Sequence, residues 1–276
     1  MATRLTGARR RNNLAWGGSG GREKWKPPPL EAPRTATQRW AQALRRYFDL
    51  QAGSVWNDIS ELVAEHLPDQ RRKVVDVGCG AQPYRSLLPG HVEYVGIDIA
   101  EAGARFGYEA PDTVYFDGVT WPTQAENADL LLCTEALEHV LDPAAFLAEA
   151  FRCLRPGGTL LATVPFAARW HFIPFDYWRF TPSGLERLLE AAGFCDVNVW
   201  ARGNALTVAC YKGMALFLPL LFPQSAKPAE AWLRRAAGAP LLPFFVTLSV
   251  VANVSLRAEG GDDCLGYTIM AARPAV

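Results

Sequence analysis

Carboxylates and glycines recur at the ends of short apolar runs in the first half of the sequence. Asp76-Val77-Gly78-Cys79-Gly80 closes the run Val74–Val77, and its two glycines permit a sharp turn and close approach of the backbone to a ligand. Asp98 ends the next run, eighteen positions beyond Gly80. A carboxylate placed there can accept hydrogen bonds from both hydroxyls of a ribose. Taken singly, the first feature is also typical of a tight turn and the second of an Asp that caps a loop.

Three further polar residues surround the third apolar run, Asp129–Cys133. Asp117, in the turn Phe116-Asp117-Gly118, is either an acceptor for an adenine amino group or simply a turn former. Glu135 and His139 follow the run and are four residues apart, a spacing that predicts one helix face near the carboxyl end of the strand. We expect a substrate to lie beside that face.

Position 83 separates two kinds of nucleotide ligand. A dinucleotide-binding turn has a third glycine at this point and a helix N-terminus that holds a pyrophosphate. This chain has Pro83 instead. The sequence therefore favours a ligand without a phosphate bridge, and an NAD-linked oxidoreductase becomes the least favoured of the alternatives.

An aromatic-rich irregular segment, residues 166–180, follows the fourth apolar run. It carries the polar side chains of His171, Asp176, Tyr177 and Arg179 among its aromatic residues. A loop at the carboxyl edge of a sheet is well placed to act as a lid or as an apolar substrate wall, although its aromatic residues can equally pack on the core. If the acceptor is a hydroxyl, His139 or His171 is the candidate general base, and the alternative for each is a packed side chain.

The elements that must position these residues alternate between strands and helices. Residues 74–77, 92–97, 129–133, 159–164, 197–200 and 266–272 are predicted strands. Helices are predicted at 37–50, 54–67, 143–154 and after Thr181. Almost wholly apolar strands are buried on both faces. The pattern predicts a doubly wound α/β sheet with ligands at the carboxyl ends of its strands.

These pieces, in this order and spacing, resemble the class I S-adenosylmethionine-dependent methyltransferases. The resemblance covers residues 72–202 and 264–273 and depends on four motifs. They are Val-Val-Asp-Val-Gly-Cys-Gly (74–80), Val-Gly-Ile-Asp-Ile (95–99), Ala-Asp-Leu-Leu-Leu-Cys-Thr-Glu-Ala-Leu-Glu-His-Val (128–140) and Phe-Leu-Ala-Glu-Ala-Phe-Arg-Cys-Leu-Arg-Pro-Gly-Gly-Thr-Leu-Leu (146–161). The segment Pro174-Phe-Asp-Tyr-Trp-Arg-Phe-Thr181 is similar to one in a bacterial subset of these enzymes.

The resemblance implies a Rossmann-like sheet of seven strands with an antiparallel last strand, and S-adenosylmethionine as the cofactor. It implies that Asp76, Gly78 and Gly80 face the methionine part and that Glu135 lies near the sulfonium. It also implies that Asp98 holds the ribose, that Ile99 packs on adenine, and that Asp117 with Gly118 meets the adenine amino group. We take His139, His171, Asp176 and Tyr177 as candidate catalytic residues. A non-catalytic cofactor-binding or scaffold protein on the same fold is the runner-up.

The bulk properties divide the 276 residues into five segments. Residues 1–36 are expected to be a disordered basic tail, with a transit peptide as the alternative, because residues 1–35 hold eight Lys/Arg and two acids. N-terminal helices follow at 37–70 and the cofactor-binding core at 71–203. An apolar helical insertion covers 204–258, between the last two strands, and the final strand lies in 259–276.

The composition also limits compartment and partners. The formal net charge is zero, so nucleic acid is not expected as a partner. The six cysteines lack C-x-x-C spacing, which predicts reduced thiols, no metal site and a cytoplasmic protein. The insertion is predicted to be either a lid or an in-plane membrane hairpin, and a true membrane span is the less favoured alternative. The expected acceptor is a small or lipid-linked molecule, with peripheral contact at the inner membrane as an option; the oligomeric state is left open.

Overall fold

A computed structural model of the chain describes residues 31, 33, 35–66, 72–108, 110–223 and 227–275. Almost all of the expected basic tail, residues 1–36, lies outside these described residues. The central feature is one seven-stranded sheet with the strand order β3-β2-β1-β4-β5-β7-β6. Its strands are β1 Lys73–Val77, β2 Glu93–Ile99, β3 Thr113–Phe116, β4 Ala128–Thr134, β5 Leu154–Pro165, β6 Cys195–Arg202 and β7 Gly266–Ala272.

The pairing confirms the predicted Rossmann-like α/β sheet. Strands β1 to β5 are parallel, whereas β7 is antiparallel to both β5 and β6. Because the carboxyl ends of parallel strands meet at one edge, the loops after β1, β2, β3 and β4 come together there. This edge is where the sequence analysis expects the ligands.

Helices cover both faces of the sheet, which explains the continuous apolar strands. Val74 belongs to one apolar cluster and Val75 to the other, because neighbouring side chains of a strand point to opposite faces. The helices are α1 Ala36–Phe48, α2 Leu50–His66, α3 Ala102–Phe106, α4 Pro143–Cys153, α5 Pro182–Ala191, α6 Ala205–Leu221, α7 Pro228–Gly238 and α8 Leu242–Ser255.

Local capping fixes where several of these helices begin. The side chain of Asp142 accepts hydrogen bonds from the backbone amides of Ala144 and Ala145 at the start of α4. Thr181 accepts from the amide of Gly184 at the start of α5. In both helices Pro occupies the first position, where no intrahelical amide bond is required. These two helix starts are confirmed as predicted.

The predicted helical insertion between the last two strands is present as α6, α7 and α8. Asn204 caps α6, and its Oδ1 accepts a hydrogen bond of 2.7 Å from Ser255 at the end of α8. Thr207 Oγ1 lies 2.9 Å from the same Ser255 hydroxyl, so a buried polar cluster joins the two ends of the insertion. The stretch Pro228–Ser255 is long and apolar enough to cross a membrane, judged by length and composition alone.

Two local predictions were wrong. Thr113–Phe116 was not predicted as a strand, because β3 is a four-residue edge strand whose Val114 and Tyr115 are exposed and leave no burial signal. Glu135 and His139 do not share a helix face. Glu135 has φ +49°, and only a short 3-10 turn, Leu137–His139, follows it. The chain reverses sharply after β4 before α4 begins.

Candidate active site

One cavity of about 530 Å³ opens at the carboxyl edge of the sheet. A volume of this size suits a drug-sized ligand. Eight of the twelve predicted site residues line it: Gly78, Gly80, Asp98, Ile99, Gly118, Glu135, His139 and His171. The other four do not line it: Asp76, Asp117, Asp176 and Tyr177.

The glycine turn after β1 forms the floor of the cavity. Gly78 has φ +69°, and a Cβ on it would lie 2.7 Å from the Cβ of Ala136. Its amide donates to the carbonyl oxygen of Ile97, which ties the turn to β2. Gly80 has φ +51°. The turn therefore requires glycine for both conformation and space, and it exposes backbone toward the cavity.

Asp98 holds this turn from the neighbouring strand. Its Oδ2 accepts a 2.9 Å hydrogen bond from the amide of Gly80, and its Oδ1 accepts one of 2.7 Å from the amide of Ile99. Burial raises the pKa of this carboxyl, while the two amide donors act in the opposite direction. Each carboxylate oxygen accepts more than one hydrogen bond, so the group retains capacity for ribose hydroxyls.

Asp76 lies beneath the turn and is fully buried. Tyr94 donates a 2.8 Å hydrogen bond to its Oδ2, whereas Oδ1 has no hydrogen-bond partner among the described residues. Burial raises the pKa of Asp76 to about 7. Because Asp76 lies under the turn and does not line the cavity, its predicted position facing the methionine part of S-adenosylmethionine stays a prediction.

Apolar side chains surround the region predicted for adenine. Ile99, Phe116 and Phe146 line the cavity together with Gly118, whose Cβ position would be 3.4 Å from Ile99. Asp117 instead lies at the surface, where its Oδ1 accepts from the amides two and three residues ahead. These two bonds match the alternative interpretation, a turn former. The adenine role of Asp117 stays a prediction.

Glu135 is positioned by a residue that the sequence analysis missed. Arg202, at the end of β6, is buried and its Nη2 lies 2.8 Å from Glu135 Oε1. The same guanidinium donates to the carbonyl oxygen of Tyr267 at 2.6 Å. The pair joins the end of β4 to the β6–β7 edge, across 67 residues of chain. No local pattern marks Arg202, because its partner is distant in sequence.

His139 and His171 both line the cavity, and their ring centroids are 5.1 Å apart. Burial, and next the proximity of His171, lower the pKa of His139 to about 4. His139 is therefore uncharged near pH 7, which makes it a weak general base. The base hypothesis for either histidine stays a prediction.

Asp176 and Tyr177 belong to the surroundings of the histidines. Asp176 contacts His171 Nδ1 at 2.9 Å and accepts two hydrogen bonds from Arg179, at 2.6 and 2.7 Å. Burial raises the pKa of Asp176, but the hydrogen bonds from Arg179 and His171 outweigh it and hold the pKa well below its usual range. The side chain of Tyr177 is exposed, and its backbone amide donates to the carbonyl oxygen of Glu138.

A second part of the cavity is largely apolar, although Arg45, Asp49 and Gln51 also line it, and it was not predicted residue by residue. It is formed by α1, by the start of α2 and by the insertion, through Phe48, Leu50, Tyr211, Met214, Leu218, Phe222 and Phe245. Met214 and Phe245 are buried in an apolar cluster with Leu265, just before β7. One cavity therefore joins the strand ends to the insertion.

Comparison with known proteins agrees with this geometry. Residues 44–199, more than half of the chain, match the model of a family described as a methyltransferase domain. The chain belongs to this methyltransferase domain family. It is accordingly an S-adenosylmethionine-dependent methyltransferase of the class I fold, and its cofactor is S-adenosylmethionine, as the resemblance of the motifs implied.

Individual relatives share part of the chain. A ubiquinone biosynthesis O-methyltransferase of Methylococcus capsulatus is 27% identical over 168 residues, which cover 56% of this chain and 71% of that protein. Another of Thiobacillus denitrificans is 34% identical over 148 residues, covering 44% and 64%. A solved S-adenosylmethionine-dependent methyltransferase of Archaeoglobus fulgidus is 18% identical, with a TM-score of 0.47 and coverage of 78% and 93%.

The turn after Gly80 is consistent with this cofactor. Pro83 begins a five-residue 3-10 turn, Pro83–Leu87, rather than an α-helix. A dinucleotide site would require an α-helix N-terminus at that point to hold a pyrophosphate. The local structure thus lacks the part on which an NAD-linked alternative depends.

Proposed function

We propose that this methyltransferase transfers the methyl group of S-adenosylmethionine to a hydroxyl oxygen of a hydrophobic small molecule, taken up at a membrane surface. The observation that carries the proposal is the cavity that extends from the strand ends to the insertion. Its polar end has the glycine turn and Asp98, and its other end has Met214, Leu218 and Phe245 of the insertion. Both reactants can therefore occupy one continuous cavity.

The main task of the protein in this reaction is to position the acceptor oxygen and the methyl group. As the acceptor oxygen forms a bond with the methyl carbon, the bond from that carbon to sulfur breaks, and the sulfonium takes the electron pair and becomes a thioether. The hydroxyl proton leaves to water. An in-line displacement of this kind gains most from holding the two reactants close and aligned.

The outer faces of the helices around the apolar end support a membrane surface as the source of the acceptor. Large apolar side chains are exposed on α6, α7 and α8, among them Leu216, Trp232 and Phe244. The neighbouring helix α1 has Arg39, Arg45 and Arg46 and no acidic residue, and its Trp40 is 69% exposed. Basic helices with an exposed apolar stripe bind in the plane of anionic membranes.

The names of two relatives agree with an oxygen acceptor. Both are called ubiquinone biosynthesis O-methyltransferases. We extend to this chain only the chemistry of those names, a methyl group transferred to oxygen in the synthesis of a lipid-soluble molecule. The acceptor itself is to be identified by experiment.

The test uses the full chain with S-adenosylmethionine that carries a labelled methyl group. The protein is incubated with a lipid extract or with an aqueous extract of bacterial cells. We expect label in the organic phase only, and more of it when anionic phosphatidylglycerol vesicles are added. Cofactor binding by calorimetry without label in any product would favour the non-catalytic alternative, and label only in the aqueous phase would contradict the hydrophobic acceptor.

Membrane contact has a matched pair of variants. Phe244→Ser removes an apolar side chain that is 65% exposed on α8, whereas Val119→Ser removes one that is 71% exposed after β3, remote from the insertion. We expect Phe244→Ser to reduce co-sedimentation with the anionic vesicles at least threefold and Val119→Ser to leave it unchanged. Equal effects of the two substitutions, or no vesicle binding by the wild type, would contradict the membrane contact.

A further inference from the structure

Three potential metal ligands, Glu138, His139 and His171, converge beside the cavity. Glu138 Oε1 lies 3.6 Å from His139 Nε2 and 4.0 Å from His171 Nε2. One ligand atom from each of the three residues lies within 4.8 Å of the others. Two atoms bound to one ion at about 2.1 Å each are roughly 3.4 Å apart in tetrahedral geometry. Small side-chain movements would therefore bring all three onto a shared ion.

The hydrogen bonds of the two imidazoles indicate which nitrogen atoms carry protons. His139 Nδ1 lies 2.7 Å from the carbonyl oxygen of Phe175, which can only accept, so Nδ1 carries the hydrogen. His171 Nδ1 lies 2.9 Å from the carboxylate of Asp176 and 3.2 Å from the carbonyl oxygen of Arg169, both acceptors. In the neutral imidazoles the lone pair is therefore on Nε2, and both Nε2 atoms face Glu138.

The carboxylate of Glu138 faces the two Nε2 lone pairs, so three hydrogen-bond acceptors lie together. It is 0% exposed, and neither of its carboxylate oxygens has a hydrogen-bond partner among the described residues. A buried carboxylate without a partner is costly, and two imidazole lone pairs beside it add to the cost. A cation held between the three side chains would satisfy all of them at once.

We propose that Glu138, His139 and His171 bind a divalent first-row transition-metal ion. Two imidazoles and one carboxylate form a donor set that suits such ions and leaves coordination positions open for other ligands. The outer contacts also fit. Imidazole ligands of metals usually donate their second N–H to a carboxylate or a carbonyl oxygen, as His171 does to Asp176 and His139 does to Phe175. Arg179 in turn holds Asp176.

The site faces the reaction space. His139 and His171 both line the cavity that extends to the glycine turn and the insertion. An ion on their Nε2 atoms would bind the acceptor oxygen and lower its pKa, so the hydroxyl proton is lost to water more readily. This catalytic part of the inference rests on the proposed oxygen acceptor, whereas metal binding by the three residues does not.

The experiment measures metal binding independently of turnover. Zn²⁺ content is measured by mass spectrometry on the full chain as purified. The protein is then stripped with a chelator and titrated with Co²⁺, whose visible absorption reports coordination. We expect one ion per chain in the wild type and at least tenfold weaker binding for Glu138→Gln and for His171→Asn. The Asn side chain keeps a donor toward Asp176 but removes the ligand atom.

Two exposed residues of the same types provide matched controls, Glu186→Gln on α5 and His91→Asn before β2, and both are expected to bind as the wild type does. Melting temperatures of the stripped proteins check folding, and Glu138→Gln is expected to retain or raise the value because it removes a buried charge. Equal Co²⁺ binding by Glu138→Gln, His171→Asn and the two controls would overturn the site. Metal binding without methyl transfer would contradict only the proposed function.

Discussion

The two ends of the cavity are built in different ways. At the cofactor end, the turn Asp76–Gly80 and Asp98 belong to adjacent strands, and hydrogen bonds between backbone and carboxylate fix them. At the acceptor end, the walls come from α1, α2 and the insertion. There Ser249 of α8 donates to the carbonyl oxygen of Tyr47, 202 residues earlier, and Gln51 donates to that of Leu265.

This difference separates the part of the protein that binds the cofactor from the part that selects the substrate. Strand ends present a cofactor by backbone geometry, which tolerates few changes. Helices packed through apolar side chains can change shape without disturbing the sheet, and such segments often determine which substrate a common fold accepts. We therefore expect substitutions at the two ends to affect different measurements. The following predictions run from the largest expected effect to the smallest.

Arg202→Met should cause the largest loss because Arg202 joins the end of β4 to the edge of the sheet formed by β6 and β7. Removing the guanidinium leaves Glu135 without its ion-pair partner and the carbonyl oxygen of Tyr267 without its donor. We expect the free energy of unfolding to fall by about 3 kcal/mol, as measured by urea denaturation. The double variant Arg202→Met/Glu135→Gln should recover part of the loss, since it also removes the unpaired charge. Additive losses would show that the two side chains act independently.

Asp98→Asn should affect the cofactor end alone. The amide side chain has one acceptor oxygen in place of two, so it cannot hold both the Gly80 turn and a ribose. Loss of about 3 kcal/mol of charge-assisted hydrogen bonding corresponds to roughly 100-fold weaker binding of S-adenosylmethionine, to be measured by calorimetry. Asp117→Asn is the comparison, with an expected change within about twofold. A tenfold loss in that variant would instead support the predicted contact of Asp117 with adenine.

Asp76 should make stability depend on pH. Its pKa in the folded protein is about 7, above the ordinary 3.8, so between these values the folded state binds a proton that the unfolded state has lost. The contribution of Asp76 to the free energy of unfolding should therefore decrease from about pH 4 to pH 7 and then level off, whereas the lowered pKa of His139 acts in the opposite direction, so the test compares the wild type with an Asp76 variant. Asp76→Asn resembles the protonated form and should be more stable than the wild type at pH 8 by on the order of 3 kcal/mol. At pH 4 the two proteins should have similar stability, and a difference between them that is the same at pH 4 and at pH 8 would contradict the assignment.

The same contrast explains how much was predictable. The strands β1, β2 and β4 and the turn at Gly78 were readable because apolar runs and glycine spacing are local signals. The site contacts of Glu138 with His171 and of Glu135 with Arg202 were not, since each joins residues far apart in sequence. The expectation of no metal site came from cysteine spacing alone and could not include residues that meet only in the folded chain.

Burial on the first helix could not be predicted from the sequence. The helix predicted at 37–50 is present as α1, and its apolar side chains Trp40, Leu44 and Tyr47 are exposed. Periodicity identifies an apolar face without identifying what covers it. The same ambiguity applies to the insertion, whose composition is compatible with a lid, an in-plane hairpin or a span.

Leu218→Trp should have the smallest effect of these substitutions. It should also best distinguish binding of the acceptor from binding of the cofactor. Leu218 lines the cavity from α6, so a larger side chain should occupy space meant for the acceptor. We expect the KM for the acceptor to rise about tenfold, equivalent to about 1.4 kcal/mol, while the Kd for S-adenosylmethionine changes less than twofold. Leu216→Trp is the control, because that side chain is 74% exposed on the same helix and does not line the cavity. If Leu218→Trp weakened cofactor and acceptor equally, the two ends would form one binding site that closes as a unit, and the insertion would be part of the cofactor site as well.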